Sequence, residues 1–470
     1  MTAEKIERTV VEEYERRTAR SREAFGRAQE FMPGGDTRTM TSYSPYPVYF
    51  DSAEGITVRD LDGNTYRDFL ANYGALVHGH NHPALVAAVR EQVELGTAPG
   101  GPTPLQIEHA RRMCARVPSL EKLRYCNSGT EATMWALRTA RAYTGRDLVV
   151  KIDGGYHGTH DWGQVNAFVA AGRRFEQCDP DLAPAVVSHG VPAGVLGSVL
   201  SIPYNDGATA RRVMRDHSDR IAAVIVEPVL GVGGGIPAEP DFVRTLREVT
   251  SAIGALLVFD ECATFRVGTW QAAHDVRPDL TTFSKIIGGG LPIGVFGGDS
   301  EVMSIFDPFS GRDPVFHASA FGGNSLSLAA GTAALDNFGP EEVERLNGLG
   351  SELRRSLDAV AEREGVAGDS VGYGSISYFH FGRGELVNAG QTAARRAGRA
   401  TLRGLLHLEL LNRGFLMGRH GIICLSTPTR TEDVAEFTAA FGQALRELRP
   451  YIAQQHPELL IESSTHGEPA

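Results

Sequence analysis

Four short stretches of the sequence gather residue types that can do chemistry. In Ala255-Leu-Leu-Val-Phe-Asp260-Glu261 an apolar run ends in a carboxylate. Ligands of open α/β sheets sit beyond the carboxyl ends of the strands. Asp260 is therefore placed to bind a metal, to cap a helix or to pair with a heterocyclic nitrogen; read alone, it is equally a solvated strand end. In Leu280-Thr-Thr-Phe-Ser-Lys285-Ile-Ile-Gly-Gly-Gly290 a lone lysine follows an apolar run and precedes a glycine run. A lysine so flanked is expected to be at least partly buried, and a buried amine is a nucleophile suited to Schiff-base formation. A surface lysine at a loop edge fits the same letters. Asn127-Ser128-Gly129-Thr130-Glu131-Ala132 follows one apolar segment and opens a helical one. Free N–H groups, the helix dipole and two hydroxyls make a phosphate seat there, although simple capping by Ser128 accounts for it as well. Gly154-Gly155-Tyr156-His157-Gly158 lets an aromatic ring approach a ligand, or packs a loop tyrosine on the core.

Taken together, the four stretches supply an amine, an acid for a pyridine nitrogen, a phosphate cup and a stacking ring. These are the parts that pyridoxal 5′-phosphate (PLP) requires of a protein. Their order along the chain is cup, aromatic, Asp260, Lys285.

The elements that must position them read as follows. An amphipathic helix runs from about Val10 to Phe31 and stops at Pro33-Gly34-Gly35. Val48 to Phe69 alternates around Asp62-Gly63 and reads as a hairpin. Helical patterns cover His82–Leu95 and Pro104–Val117. Apolar runs then alternate with helical ones: Leu148–Ile152, Val199–Ile202, Ala222–Val226, Ala255–Phe259 and Leu280–Phe283, with Thr130–Tyr143 and Asp241–Ile253 among the helices. Strands apolar on both faces and separated by helices predict a mostly parallel sheet with helices on both sides. After Asn324 a helix runs towards Phe338 and another spans Glu341–Glu364, leading to a C-terminal α+β region with strands at Ser375–Phe381 and Ile422–Leu425.

Composition excludes several classes. The 470 residues carry a formal charge of -11, with 42% hydrophobic and 22% charged residues. That is ordinary for a globular chain and gives no basic footprint for nucleic acid. Five scattered cysteines, Cys114, Cys126, Cys178, Cys262 and Cys424, lack metal-site spacing and disulfide patterning, so no metal is expected and a reducing cytoplasm is the natural compartment. The charged N-terminus has no apolar signal region, and no run of about 18 apolar residues marks a membrane span.

The wording of these stretches resembles the class III aminotransferases. NSGTEA, GGYHG, AAVIVEP, LLVFDE, PDLTTFSKIIGGGLPIGVFGG and the region from Gly63-Asn64 to Gly79-His-Asn-His-Pro83 carry the likeness, from about Met32 to Thr427. The branch holding glutamate-1-semialdehyde 2,1-aminomutase and the β-amino-acid aminotransferases is the most similar. The resemblance implies fold type I, a mostly parallel seven-stranded central sheet, and a smaller α+β domain built from the N- and C-terminal segments. It divides the chain into 1–85 (N-terminal helix and small-domain segment), 86–335 (PLP-binding domain), 336–456 (C-terminal α+β domain) and a flexible tail, 457–470. It implies a homodimer with active sites at the subunit interface. By position it makes Lys285 the Schiff-base lysine, pairs Asp260 with the pyridine nitrogen and stacks Tyr156 on the ring. It gives the phosphate to Ser128, Gly129 and Thr130, and sets Glu227 behind the cofactor. His157 is taken as structural.

Several positions depart from that pattern. Cys262 stands where valine usually meets the ring. Leu230 and Val232 replace polar neighbours of the cofactor's phenolic oxygen. The partner subunit's usual phosphate-binding threonine falls on Ala320, with Ser319 beside it. The aminomutase gating wording is absent from Phe415–Cys424. Met32–Arg38 and Tyr43–Pro47 look more like the β-amino-acid branch, whose arginine meets a substrate carboxylate; Arg38 takes that place, and His420 falls where the branch has a second arginine. The resulting expectation is a PLP-dependent aminotransferase moving an amino group from an amino acid, in the β series by this likeness, to an oxo acid. The alternative is an aminomutase, epimerase, lyase or decarboxylase with the same apparatus, acting on an amino sugar or natural-product intermediate.

Overall fold

Seven strands form the central sheet, in the order Lys122–Cys126, Gly294–Gly298, Leu280–Phe283, Leu256–Asp260, Ile221–Val226, Leu148–Ile152 and Val199–Ile202. Only Gly294–Gly298 runs against the others. This computed structural model describes residues 2–168 and 188–461. Five of the strands are buried along their whole length, as the unbroken Val, Ile and Leu runs require of strands covered on both faces. The helices between them have clear terminal signals. Gly129–Thr144 begins under the Ser128 cap and ends at Gly145 in the left-handed conformation. Pro240–Ile253 has proline in its first turn and Gly254 after its last, the asymmetry expected of helix ends.

The strand Gly294–Gly298 was not foreseen, because its letters read as the end of a glycine-rich loop. A Cβ on Gly297 would lie 2.3 Å from the Lys122 carbonyl oxygen, and one on Gly298 2.0 Å from that of Asp279. Glycine is what lets this strand lie between its neighbours. The predicted N-terminal helix also differs. It is two helices, Ala3–Arg17 and Ala19–Gln29, broken at Thr18, whose hydroxyl bonds the Tyr14 carbonyl at 2.7 Å and the Tyr46 hydroxyl at 3.1 Å.

The two ends of the chain meet. Helix Ala3–Arg17 packs on Ala400–Asn412 and Thr431–Gln455, and strand Phe415–Leu416 pairs in parallel with Thr65–Asp68 at the edge of a four-stranded sheet. A second sheet joins Gly368–Tyr373, Ile376–Phe381 and Ile422–Cys424. Buried Arg266 ties these parts to the central sheet: Nε donates to Ser375 Oγ at 3.0 Å, Nη1 to the Gly74 carbonyl at 3.2 Å, and Nη2 to the Leu425 carbonyl. The beginning of the expected flexible tail is packed. Pro457–Leu459 is a short helix with Leu459 buried, and the Ile461 N–H donates to the Gly365 carbonyl at 3.1 Å. The rest of that tail and Cys178 lie outside the described residues. No helix among the described residues is long and apolar enough to cross a membrane.

Candidate active site

The chemical stretches all follow the carboxyl ends of strands of the central sheet. Cys126 leads to Ser128, Ile152 to Tyr156, Val226 to Glu227 and Phe283 to Lys285, while Asp260 is itself the last residue of its strand. Neighbouring parallel strands therefore bring Tyr156, Glu227, Asp260 and Lys285 to one end of the sheet.

Lys285 opens a one-turn helix, Lys285–Gly288, with a φ of 58°. That left-handed conformation costs a residue with a side chain about 1–2 kcal/mol, and packing holds it. Ser284 Oγ donates to the Ile293 carbonyl at 2.7 Å, and His109 Nε2 donates to that of Ile287 at 2.8 Å. Helix Ser325–Asp336 lies flush behind the turn; a Cβ on Gly331 would sit 1.9 Å from the Ile287 oxygen. Lys285 itself is half-buried.

Asp260 is buried at 4% exposure. Its Oδ2 accepts from His157 Nδ1 at 2.8 Å, and its Oδ1 from the Cys262 N–H at 3.1 Å and Thr282 Oγ1 at 3.0 Å. Burial alone would raise the carboxyl, but the bonds from His157 and Cys262 outweigh it and hold the pKa below its ordinary value. The same burial lowers His157, so a neutral ring donates its Nδ1–H to an ionised carboxylate. Glu227 behaves oppositely. Burial and the neighbouring Asp260 push it up to about 8, against the Tyr156 N–H that its Oε2 accepts at 2.8 Å. Two adjoining carboxyls are thus driven apart, one ionised and one protonated near neutral pH. Burial raises the hydroxyl of half-buried Tyr156, with Glu227, Asp260 and Cys262 adding to it. The sequence reading missed the bonds that His157 and Thr282 make to Asp260, although both residues stand in the quoted motifs.

The third group sits at the start of Gly129–Thr144. Ser128 Oγ accepts the Glu131 N–H at 3.1 Å, and its carbonyl that of Ala132 at 3.0 Å; the N–H groups of Gly129 and Thr130 remain for a ligand, as at any helix start. Thr130 Oγ1 accepts the Thr159 N–H at 3.2 Å. The half-buried Cys262 closes one side, for a Cβ on Gly129 would lie 3.1 Å from its Sγ. These donors suit PLP. A helix start takes its phosphate. The groups within hydrogen-bond distance of Asp260 are all neutral, so a protonated ring nitrogen is the partner that its buried charge lacks.

The remaining predicted residues lie further out. Ser319 and Ala320 are exposed, and Ser319 Oγ accepts from Asn127 Nδ2 of the same chain at 2.8 Å. Leu230 is fully buried. Val232 is half-buried, and its carbonyl accepts from Arg396 Nη1 at 3.3 Å. Arg38 Nη1 donates to Asn72 Oδ1 at 2.9 Å, in a cavity of about 510 Å³ that Tyr43, Tyr73, Met417 and Arg419 also line. His420 does not line that cavity with Arg38. It turns towards Arg403, its Nδ1 3.4 Å from Nη1, while its neighbour Arg419 faces Arg38's cavity and donates to the Ser42 carbonyl at 2.7 Å. Adjacent loop residues point apart, which alignment by motif does not reveal.

Comparison with known proteins identifies the family. The pattern of the family "Aminotransferase class-III" matches residues 39–409. A β-phenylalanine transaminase of Variovorax paradoxus is 38% identical over 448 residues, which is 94% of this chain and 97% of the relative. A glutamate-1-semialdehyde 2,1-aminomutase of Desulforapulum autotrophicum is 41% identical over 378 residues, 79% of this chain and 86% of the relative. The crystal structure of an omega-transaminase from Sphaerobacter thermophilus superposes with a TM-score of 0.87 at 39% identity, covering 91% of this chain and 98% of that one. The strand-end cluster, the fold and these relatives lead to one conclusion: the chain belongs to the class III aminotransferases, enzymes that use PLP and have fold type I.

Proposed function

We propose that Lys285, Asp260, Tyr156 and the start of helix Gly129–Thr144 are the catalytic and cofactor-holding groups, and that the donor is an amino acid held through its carboxylate. The observation that carries this is the placement of Lys285 and the buried Asp260 at the same end of two adjacent parallel strands. PLP, when bound, supplies an aldehyde for amines and a ring that accepts electrons. Lys285 would hold the cofactor through its aldehyde carbon, and its free amine would carry the proton at the substrate's reacting carbon. Asp260 would keep a proton on the ring nitrogen. Ser128, Gly129 and Thr130 would hold the phosphate, and Tyr156 would orient the ring, with neutral Glu227 beside Asp260.

Arg38 and Arg419 mark the substrate side. Both face one cavity, neither forms an ion pair with a carboxylate among the described residues, and guanidinium groups bind carboxylates bidentately. Leu70, Tyr73 and Leu76 of the cavity wall pack against Tyr378, Ile422 and Cys424. The β-phenylalanine transaminase relative, together with the absence of the aminomutase gating wording from Phe415–Cys424, favours a β-amino acid as donor and an oxo acid as acceptor over an isomerisation.

We further infer a homodimer. Phe309, Phe316 and Phe321 are 94%, 83% and 63% exposed in the segment that carries Ser319 and Ala320. Exposed aromatic rings within one short segment favour a protein-binding surface, and a second copy would place Ser319 or backbone N–H groups at the phosphate.

Lys285→Ala is expected to lose transamination entirely, with borohydride no longer fixing the cofactor to the peptide of residues 280–290; label on another lysine refutes the assignment. Arg38→Ala should raise KM for amino acids by about 10–100-fold, the loss of a charged hydrogen bond, while amines lacking a carboxylate change little. Equal changes for both would remove Arg38 from the site. Sedimentation velocity should show a dimer as the active species, and a fully active monomer would end that inference. Glu227 gives a pH test. Its folded pKa lies above the ordinary carboxyl value, so its stabilising share is complete below about pH 4.5 and is lost as pH rises through about 8. Relative to wild type, Glu227→Gln should gain stability between about pH 5 and pH 9, up to a few kcal/mol at about 1.4 kcal/mol per tenfold change in ionisation. Parallel denaturation curves across that range would contradict the buried, protonated carboxyl.

A further inference from the structure

Lysine is rare in this chain. Lys5, Lys122, Lys151 and Lys285 are its lysines among 46 lysines and arginines, so basic surface charge is left to arginine. Lys151 is no surface residue. It is fully buried, at 0% exposure, in the otherwise aliphatic strand Leu148–Ile152. An amine placed there must be matched by specific partners. Its Nζ donates to the Gly163 carbonyl at 2.8 Å and to the Val165 carbonyl at 2.6 Å. Those carbonyls lie at the far end of the loop that carries Tyr156 and His157. The same loop is closed by the Gly154 N–H, which donates to the Asn166 carbonyl at 2.8 Å, and by Asn166 Nδ2, which donates to Asp153 Oδ1 at 2.7 Å. Thr133 Oγ1 donates to the His157 carbonyl at 2.6 Å. Lys151 is the interior peg of a closed loop whose working residues reach Glu227 and Asp260.

A neutral donor would tie the loop as well, so the charge needs its own account. Side chains alternate between the faces of a strand. Val149, Ile225 and Val258 pack in one cluster of the central sheet, and Val150, Ile152, Leu257 and Phe259 in another. Lys151 and Asp260 therefore project from the same face. One strand, Ile221–Val226, lies between theirs; Ile225 pairs with Lys151 and Val226 with Phe259. That register sets the two Cα atoms about 12 Å apart. Burial lowers the amine to about 7, and Glu227, Asp153 and Asp260, in that order, favour its charge. Burial also lowers both imidazoles of the loop, His157 and, to about 3, His160; the ammonium adds to each. Lys151 thus faces three carboxyls and two neutral imidazoles, and it is charged below about pH 7.

We propose that Lys151 is a positioning residue of the cofactor site: it ties down the loop of Tyr156 and His157, and its charge, two strands away, keeps Asp260 ionised for the ring nitrogen. The inference rests on the reading of Asp260 as the partner of that nitrogen. Distance is part of the arrangement. A lysine in direct contact would occupy the carboxylate as an ion pair. From two strands away the ammonium favours the ionised acid and leaves its oxygens open to a cationic ring.

The test follows cofactor retention by the PLP-loaded, full-length enzyme from about pH 4 to about pH 9, read from absorbance after gel filtration, with thermal melting near neutral pH as the measure of stability. Lys151→Gln keeps an amide donor and removes the charge, whereas Lys151→Met removes both. Without the cation Asp260 takes up a proton more readily. The acid limb of retention should therefore move up by about one pH unit in both variants, the size expected of a unit charge about 12 Å away. Lys151→Met should also melt earlier, because two buried carbonyls lose their donor. Should it fail to fold, Lys151→Gln carries the test alone. An acid limb that stays at the wild-type pH in Lys151→Gln overturns the proposal, whatever the melting temperature. Asp260→Asn separates the two readings: it should lower retention across the range and abolish the limb. Wild-type retention in Asp260→Asn refutes the pairing with the ring nitrogen, and the role of Lys151 with it; an unmoved limb in Lys151→Gln beside a damaged Asp260→Asn refutes Lys151 alone.

Discussion

A carboxylate that stays ionised inside a protein must be surrounded by donors, and the site is arranged around that demand at Asp260. His157, Cys262 and Thr282 each turn a hydrogen to it. None of them brings a full positive charge, which leaves a place for a cationic ring. The His157 bond draws the glycine loop of Tyr156 against the sheet, and that loop in turn holds Glu227 through a backbone N–H. Removing the acid would therefore alter more than one contact: the aromatic ring, the neutral carboxyl and the neighbouring thiol all take their places from it.

Cations elsewhere follow a different rule. Arg266 is buried without a carboxylate, yet carbonyl and hydroxyl oxygens satisfy it from three parts of the chain. It fastens both sheets of the terminal segments to the central one. Arg396 and Arg403 are half-buried, and Nε and Nη2 of the first and Nε of the second find no acceptor among the described residues. The contrast within one molecule separates a structural arginine from one whose hydrogen-bonding capacity is left open.

Much of this was legible in the sequence where local and global signals agree. Lys285, Asp260 and Ser128 each stand at a switch from an apolar run to glycine, helix cap or acid, and the chain reverses at those switches. Helices with a proline start and a glycine end, such as Pro240–Ile253, were readable to within a residue or so. What stayed hidden depends on partners distant in sequence. Thr18 looks like any helical threonine until Tyr46 packs on it. Gly294–Gly298 looks like a loop until its close neighbours show why side chains are excluded. His157 reads as a loop residue because Asp260, its partner, lies on another strand. The opposite directions of Arg419 and His420 are set by backbone geometry that motif spacing does not encode.

The parallel pairing of Thr65–Asp68 with Phe415–Leu416 has a consequence for how the protein is made. The early strand leaves the ribosome long before its partner exists. At ordinary synthesis rates the wait is on the order of tens of seconds. Throughout it, one edge of the nascent sheet shows unpaired N–H and carbonyl groups, a template for any other extended chain. The central sheet can form in that interval, since its strands lie between the two. The early strand can complete its pairing only after that, so the first residues synthesised are among the last to find all their partners.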